Sequence, residues 1–333
     1  MFLGKARAYT NIALIKYWGK KDETCILPMN SSLSLTLDAF YTETSVCFDK
    51  NLTRDYFSLN GEEQSVQQTA KIAAFLTMIR QQYQLDLFAK VESTNFVPTA
   101  AGLASSASGF AALAGACNQA LQLGLADADL SRLARRGSGS ACRSIFGGFA
   151  EWEKGADDAS SFAKKIPSDD WENELAMLFV LVDDRIKDVS SRDGMKRTVQ
   201  TSSFYQGWLE TAPADLQTAK AAIAAKDFKA LGEVTEANGL RMHGTTLGAV
   251  PPFSYWSPES LKVMTCVRQI RAQGLPCYFT MDAGPNVKIL VEKKNISQLK
   301  ALLLNDFSEN QLITANAGPG LSTLPVERLM SDD

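Results

Sequence analysis

The residues of this chain best suited to chemistry are hydroxyls, glycines and cations gathered in a few short stretches. Phosphate is the ligand that such stretches suit. The first is Pro98-Thr-Ala-Ala-Gly-Leu-Ala-Ser-Ser-Ala-Ser-Gly109, with Gly102, Ser105, Ser106 and Ser108; it opens onto a helical pattern in which Phe110, Leu113, Ala114, Cys117 and Leu121 recur at i, i+3, i+4, i+7 and i+11. A small-residue loop entering a helix concentrates unpaired N–H groups and the positive end of the helix dipole, and its short side chains let a polyanion reach the backbone. No Gly-Lys-Ser/Thr closes the stretch, so it is not a Walker loop, and it lacks the GxGxxG spacing of dinucleotide sites. Tight packing of a small-residue helix would use the same residues, and both readings stand at this point.

Three further stretches carry comparable chemistry. In Arg135-Arg-Gly-Ser-Gly-Ser-Ala-Cys-Arg-Ser144 the glycines give turn freedom, Ser138 and Ser140 supply hydroxyls, and Arg143 offers a planar fork of donors. That suits a phosphate or diphosphate; a polar surface turn is equally open. Lys16, Lys20 and Lys21 surround Tyr17, Trp18 and Gly19, either as an anion-gripping corner or as solvated lysines around two core aromatics. The segment from Arg185 to Met195 is dense in polar groups, among them Lys187, Ser190, Ser191 and Arg192. Asp282 ends an apolar run beside Gly284-Pro285-Asn286, where it either caps the turn or serves as a base. The sequence holds 1 His, so a Ser-His-Asp or Cys-His enzyme must rest on His243 and a multi-histidine zinc site is excluded. His243 falls near the end of a helical pattern (Phe228, Leu231, Val234) and reads as a packing residue.

Periodicity indicates the strands and helices that carry these groups. Residues 6–20 begin as a strand, and 31–48 alternate polar with apolar in two half-buried runs, which implies an antiparallel region. A helix is expected over 65–84, with Lys71 as a solvated side chain, then a strand over 86–93, a helix from 105 to about 123 and a shorter one near Asp129. Residues 147–152 read as a strand, 156–173 as a loop and 175–182 as a buried strand. Helical patterns cover 196–211, 214–226 and 228–243, and a helix opens at Ser257-Pro258 with proline at its first position. Two strands flank the Gly-Pro-Asn turn, and a last helix runs from 296 to about 306. The division between halves is placed at 1–184 and 185–333.

Composition narrows the classes. With 333 residues and 45% hydrophobic content the chain can bury one large core or two. Lys+Arg 34 against Asp+Glu 37 leaves a net charge of -3, which offers nucleic acid no basic field. The longest apolar run, Leu175 to Val182, is far short of a membrane span, and Lys5, Arg7 and Lys16 interrupt any signal-peptide core. The six cysteines have no CxxC spacing and read as reduced residues of a cytoplasmic protein.

Taken together these stretches resemble the GHMP kinase superfamily and, within it, the bacterial type of the diphosphomevalonate decarboxylase family. The serine-rich loop matches the superfamily's ATP loop, and Ile15-Lys-Tyr-Trp-Gly-Lys20, Gly137-Ser-Gly-Ser-Ala-Cys-Arg143 and Met281-Asp-Ala-Gly-Pro-Asn286 narrow the match. The resemblance implies an α+β GHMP kinase fold, with a ribosomal S5 domain 2-like N-terminal domain, a ferredoxin-like C-terminal α/β sandwich and the active site in the cleft between them. It implies the reaction of 5-diphosphomevalonate with ATP and Mg2+ to isopentenyl diphosphate, ADP, phosphate and CO2. It makes Asp282, Lys16, Ser191 and Arg143 catalytic, with Lys16 close to Asp282. Substrate falls to Tyr17, Trp18, Gly19, Lys20, Ser138, Gly139, Ser140, Ala141, Cys142, Arg143, Ser191 and Arg192. The nucleotide falls to Ser93, Asn95, Pro98, Ala101, Gly102, Ser105, Ser106, Ser108, Lys71 and Lys187, with Ser106 touching magnesium. A homodimer is also implied. Two alternatives remain open: a kinase of the 3-hydroxyl that does not decarboxylate, and a catalytically silent ligand sensor.

Overall fold

The computed structural model describes residues 1–96, 106–182 and 188–326. The first sheet grows from the alternating segment near the N-terminus. β1 (Phe2–Ile15) leads into a small hairpin, β2 (Lys20–Asp22) with β3 (Leu27–Pro28), and the chain returns antiparallel to β1 as β4 (Ser32–Asp49). The two runs expected over 31–48 are thus one continuous strand. Its alternation is kept: Thr44, Val46 and Phe48 are buried while Glu43, Ser45 and Cys47 face outward.

β5 (Tyr56–Leu59) and β6 (Glu62–Glu63) precede α1 (Val66–Tyr83), which starts on a reciprocal capping box between Ser65 and Gln68. β7 (Phe88–Phe96), α2 (Ser106–Ala120) and α3 (Asp127–Gly137) follow, then a 3₁₀ turn over Gly139–Ile145. The body of α2 uses its small residues for packing. Gly4 of β1 lies against it so closely that a Cβ there would fall 2.0 Å from the carbonyl oxygen of Ala116. β8 (Phe149–Trp152) and β9 (Ala163–Lys165) complete this part. β9 and most of a 3₁₀ turn at Trp171–Glu174 fall in 156–173, where the sequence implies a loop. Their few apolar residues, such as Trp171, are buried one at a time and leave no periodic trace.

β10 (Leu175–Val180) begins the second sheet, and α4 (Ser191–Thr201), α5 (Tyr205–Ala225) and α6 (Phe228–Leu247) follow. The break between α4 and α5 falls at 202–204 rather than near 211–214, because Pro213 is carried inside α5 on its exposed face while Trp208, Ala212, Leu216 and Ala219 bury the opposite one. α7 (Pro258–Ala272) has the Ser257 cap and the proline start that its sequence announces. β11 (Cys277–Met281), β12 (Val287–Glu292), α8 (Ile296–Leu303), β13 (Leu312–Asn316) and β14 (Ser322–Thr323) end the described chain.

Among the described residues the first sheet has the order β14-β1-β4-β7-β5-β6, with β8 and β9 attached to β4; the second has the order β11-β12-β10-β13. α1, α2 and α3 share one core with the inner face of the first sheet. A second core joins the two sheets: Leu14, Leu33 and Phe40 meet Met177 and Phe179, under Leu216, Ile223, Leu231 and Val234 of α5 and α6. α7 and α8 cover the far face of the second sheet. The junction of the sheets, at the C-terminal end of β1, is therefore held from several sides.

Candidate active site

β1 is irregular where it reaches that junction. Its pairing with β4 slips between Tyr9 and Asn11 and again between Ala13 and Ile15. Such bulges re-aim side chains, and here Thr10, Asn11 and Lys16 are all buried. They line a cleft of about 590 Å3. Its other walls are the start of α2 (Ser106, Ala107, Phe110), the 137–143 segment, the start of α4 (Ser191, Arg192, Asp193) and the turn from Asp282 to Lys288. Two helix N-termini thus open on one cavity, an arrangement that favours negative charge. Ser190 caps α4, its hydroxyl oxygen accepting from the Asp193 backbone N–H at 3.1 Å.

At the floor Lys16 donates from Nζ to Asp282 Oδ1 at 2.8 Å and to the Ala13 carbonyl at 2.7 Å. Its backbone is pinned as well: its N–H donates to Asn238 Oδ1 of α6 at 2.8 Å, and its carbonyl accepts from Asn30 Nδ2 at 2.7 Å. The other carboxylate oxygen of Asp282 lies 3.2 Å from Lys288 Nζ. Burial pushes the Asp282 carboxyl up, but the two ammonium groups outweigh it and hold the group well below the usual carboxylate range. Burial pulls the Lys16 ammonium below its ordinary range, and Asp282 opposes that shift. Asp282 keeps 37% of its side chain exposed, toward the cleft.

Arg143 is 2% exposed and is held by neutral groups, its Nε donating to Asn11 Oδ1 at 3.2 Å and its Nη1 to Ser32 Oγ at 2.6 Å. Among the described residues no carboxylate pairs with it. Lys16, Lys288 and Arg143 therefore place three buried cations around one carboxylate. The remaining positive charge calls for an anionic guest, because uncompensated buried charge is costly.

The other residues expected at the site divide by place. Tyr17, Trp18, Lys20, Ser138, Gly139, Ser140, Ser191, Arg192, Ser106 and Lys71 line the cleft with Asp282, Lys16 and Arg143. Tyr17 packs against Trp152 with ring centroids 4.7 Å apart and the rings tilted by 58°, and Trp18 joins Tyr205, Trp208 and Tyr255 in a core cluster, so the aromatics of this corner are packed and face the cavity at once. Lys20 is paired with Glu23. Gly19, Ala141 and Cys142 are buried and do not line the cleft. Ser93, Asn95 and Ser108 are also set back: the Ser93 hydroxyl bonds to Thr44 Oγ1 at 2.8 Å, and Thr42 Oγ1 meets both Asn95 Oδ1 at 2.9 Å and Ser108 Oγ at 2.8 Å. Pro98, Ala101, Gly102, Ser105 and Lys187 lie outside the described residues. His243 is buried between Tyr255 and Trp256, and burial, with the Lys16 charge adding, pushes its pKa down to about 3. It is a neutral packing residue.

Sequence reasoning passed over Asn11 and Lys288. Asn11 sits in an apolar strand pattern, and nothing local marks it. Lys288 did leave a signal, since a lysine interrupts the apolar run Val287 to Val291.

Comparison with known proteins agrees along the chain. The family described as diphosphomevalonate decarboxylase-like N-terminal domain matches residues 8–163, and that described as mevalonate 5-diphosphate decarboxylase C-terminal domain matches residues 177–326. The chain is 36% identical to the diphosphomevalonate decarboxylase of Ganoderma lucidum, over 93% of this chain and 83% of that one. It is 36% identical to that of Homo sapiens, over 90% and 79%. Among solved structures, the mevalonate diphosphate decarboxylase of Enterococcus faecalis superposes with a TM-score of 0.94 at 67% identity, covering 98% of this chain and 99% of that one. That of Staphylococcus aureus gives 0.95 at 58%, covering 97% and 98%. A structure described as MDDEF in complex with MVAPP, AMPPCP and magnesium gives 0.95 at 68%, covering 98% and 99%.

Proposed function

The chain belongs to the diphosphomevalonate decarboxylase family, and from that premise we propose how its cleft carries the ATP-dependent decarboxylation of mevalonate diphosphate. The observation that carries the proposal is the Asp282 carboxylate, bridging Lys16 and Lys288 while facing the cavity. Asp282 receives or orients the proton of the substrate's 3-hydroxyl, whose oxygen then attacks the γ-phosphate of ATP. ADP leaves as the γ-phosphoryl group is transferred; the C3–O bond of the resulting phosphate ester then breaks to release inorganic phosphate, and the electron pair left as the carboxylate departs as CO2 forms the double bond of isopentenyl diphosphate. Positive charge that develops at the tertiary carbon is stabilised by the same anion.

The substrate diphosphate is assigned to Tyr17, Trp18, Lys20 and the Ser138–Arg143 segment, backed by Gly19, Ala141 and Cys142, and its carboxylate to Arg143, with Ser191 and Arg192 closing the pocket. The nucleotide phosphates are assigned to the start of α2 and Lys71, with Ser93, Asn95, Ser108, residues 98–105 and Lys187 completing that half. Magnesium, when bound with ATP, neutralises charge on the transferring phosphoryl group. Ser106 is the side chain assigned to it, and phosphate oxygens and water supply the other ligands. That fits the donor set, since no group of three His, Cys, Asp or Glu side chains is placed to hold a metal among the described residues.

The fold of this reading is the GHMP kinase type, an N-terminal nucleotide-binding half of ribosomal S5 domain 2-like kind over 1–184 and a ferredoxin-like half over 185–333, stitched together where β10 joins the second sheet. A homodimer in the cytoplasm goes with it. Six free cysteines accord with a reducing compartment, and no helix of the described residues is long and apolar enough to cross a membrane.

The test is single-turnover release of ADP and CO2 from mevalonate diphosphate with magnesium-ATP, for the wild type and Asp282→Asn. The expected result is both products from the wild type and neither from a variant that still binds both ligands. ADP without CO2 from the wild type would make it a kinase, and binding without either product a sensor.

A further inference from the structure

We propose that Lys288 is a positioning residue of this reaction, fixing the second oxygen of the Asp282 carboxylate so that the group presents one orientation to the substrate. The proposal rests on the role given to Asp282 above. Lys288 lies in β12, paired with Phe179 of β10 and Thr280 of β11, on the sheet face that otherwise packs apolar residues such as Tyr278 and Leu290. It is 3% exposed. An ammonium in such a layer is costly unless it is paired and hydrogen-bonded, so a position with only a packing task is better filled by an apolar side chain. The compensation here comes from the hairpin turn that holds Asp282: Nζ lies 3.2 Å from Asp282 Oδ2 and 3.2 Å from the Asn286 carbonyl.

Geometry explains why a second cation is useful. Met281 and Val287 form the last pair of the β11–β12 ladder, so Asp282 stands in the turn, beyond the ladder. With Lys16 alone on Oδ1, the carboxylate could pivot about a single contact. Lys288 reaches Oδ2 from the strand on the far side of the turn, and two contacts fix the carboxylate plane. The other charged or titratable groups facing this carboxylate are Arg143 from the 3₁₀ turn and the neutral His243 from α6, while Arg192 and Asp193 of α4 line the same cleft. Lys288 also helps to hold Asp282 ionised.

The experiment compares the wild type with Lys288→Met and Lys288→Arg in steady-state turnover. Lys288→Met is expected to lower kcat by about 100-fold, as a carboxylate misplaced by about 1 Å would, and to leave KM for both substrates within about 3-fold. Lys288→Arg restores most of the turnover. If Lys288→Met does not fold by circular dichroism, Lys288→Gln keeps a donor without the charge and must show the same split between kcat and KM. The proposal is overturned by a kcat within about 2-fold of wild type, by a loss that arginine does not rescue, or by a KM that rises in step with the fall in kcat. Should Asp282→Asn itself turn over normally, the role of Asp282 fails first, which separates the two ideas.

Discussion

Replacing Asn11 with alanine removes a hub that joins the bulged end of β1 to the 139–145 turn. Asn11 Nδ2 donates to the Ser140 carbonyl at 3.0 Å and to Ser144 Oγ at 2.8 Å, and its Oδ1 accepts from Arg143 Nε at 3.2 Å. The residue is 7% exposed, so water does not replace these bonds readily. A buried bond between neutral groups is worth about 1 kcal/mol net, and one to a charged group about 1.5–3 kcal/mol. Ser144 can rotate to another partner and Arg143 keeps its 2.6 Å bond to Ser32 Oγ, which brings the sum to roughly 3 kcal/mol. For units of this size that corresponds to a fall in Tm of about 6–12 °C. Arg143 would also lose one of the two bonds that aim it, and KM for mevalonate diphosphate should rise about 10-fold or more. Calorimetry and steady-state kinetics read the two effects separately. Asn11→Asp sharpens the test: it keeps the acceptor for Arg143, sets an oxygen against the Ser140 carbonyl and neutralises part of the cationic field, so it too should weaken anion binding. An Asn11→Ala variant with Tm within about 2 °C and KM within about 2-fold of wild type would refute the claim that Asn11 orients Arg143.

Two other expectations follow from the same framework. Gly19 has φ +103°, and a Cβ there would fall 1.9 Å from Tyr205 Oη and 2.8 Å from Val199 Cγ2. Gly19→Ala should therefore break the 2.7 Å bond from Tyr205 to the Trp18 carbonyl and cost at least as much as Tyr205→Phe, about 1–3 kcal/mol in denaturant unfolding. Equal stability of Gly19→Ala and wild type would contradict this. His243 has its pKa depressed to about 3 in the folded state, below its unfolded value of about 6.5. The unfolded chain binds the extra proton over that interval, so stability is complete above pH ~6.5 and falls by up to about 1.4 kcal/mol per unit as pH drops toward 3. His243→Leu should flatten the acid side of a Tm-against-pH curve by one proton's worth, and an unchanged slope would rule out the neutral, buried histidine.

Much of the fold was legible because its signals are local. The alternation over 31–48, the periodicity from Phe110 to Cys117 and the Ser257-Pro258 start each depend on residues a few positions apart. They reappear as β4, α2 and α7. What escaped lacks a local signature. β13 and β14 are short and pair with β10 and β1, far away in sequence. Pro213 suggests no helix interior, yet the buried face of α5 outweighs one missing bond.

The site divides along the same line. Residue types alone identify stretches able to grip phosphate: glycines with serines at 137–140, a guanidinium at Arg143, cations around Gly19 and an aspartate in a turn. Which of them meet is a matter of through-space energy. Lys16 and Asp282 are 266 positions apart and come within 2.8 Å because bulges turn the end of β1 onto the second sheet. The buried Lys288 is tolerated because Asp282 lies beside it. Ser93, Asn95 and Ser108 join Thr42 and Thr44 of β4 in a hydroxyl and amide network instead of lining the cleft. Residue types and their spacing mark which groups are able to bind and move charge. Which of them are buried together follows from the packing of the two sheets, and burial is what makes three cations around one carboxylate a demand for an anionic ligand.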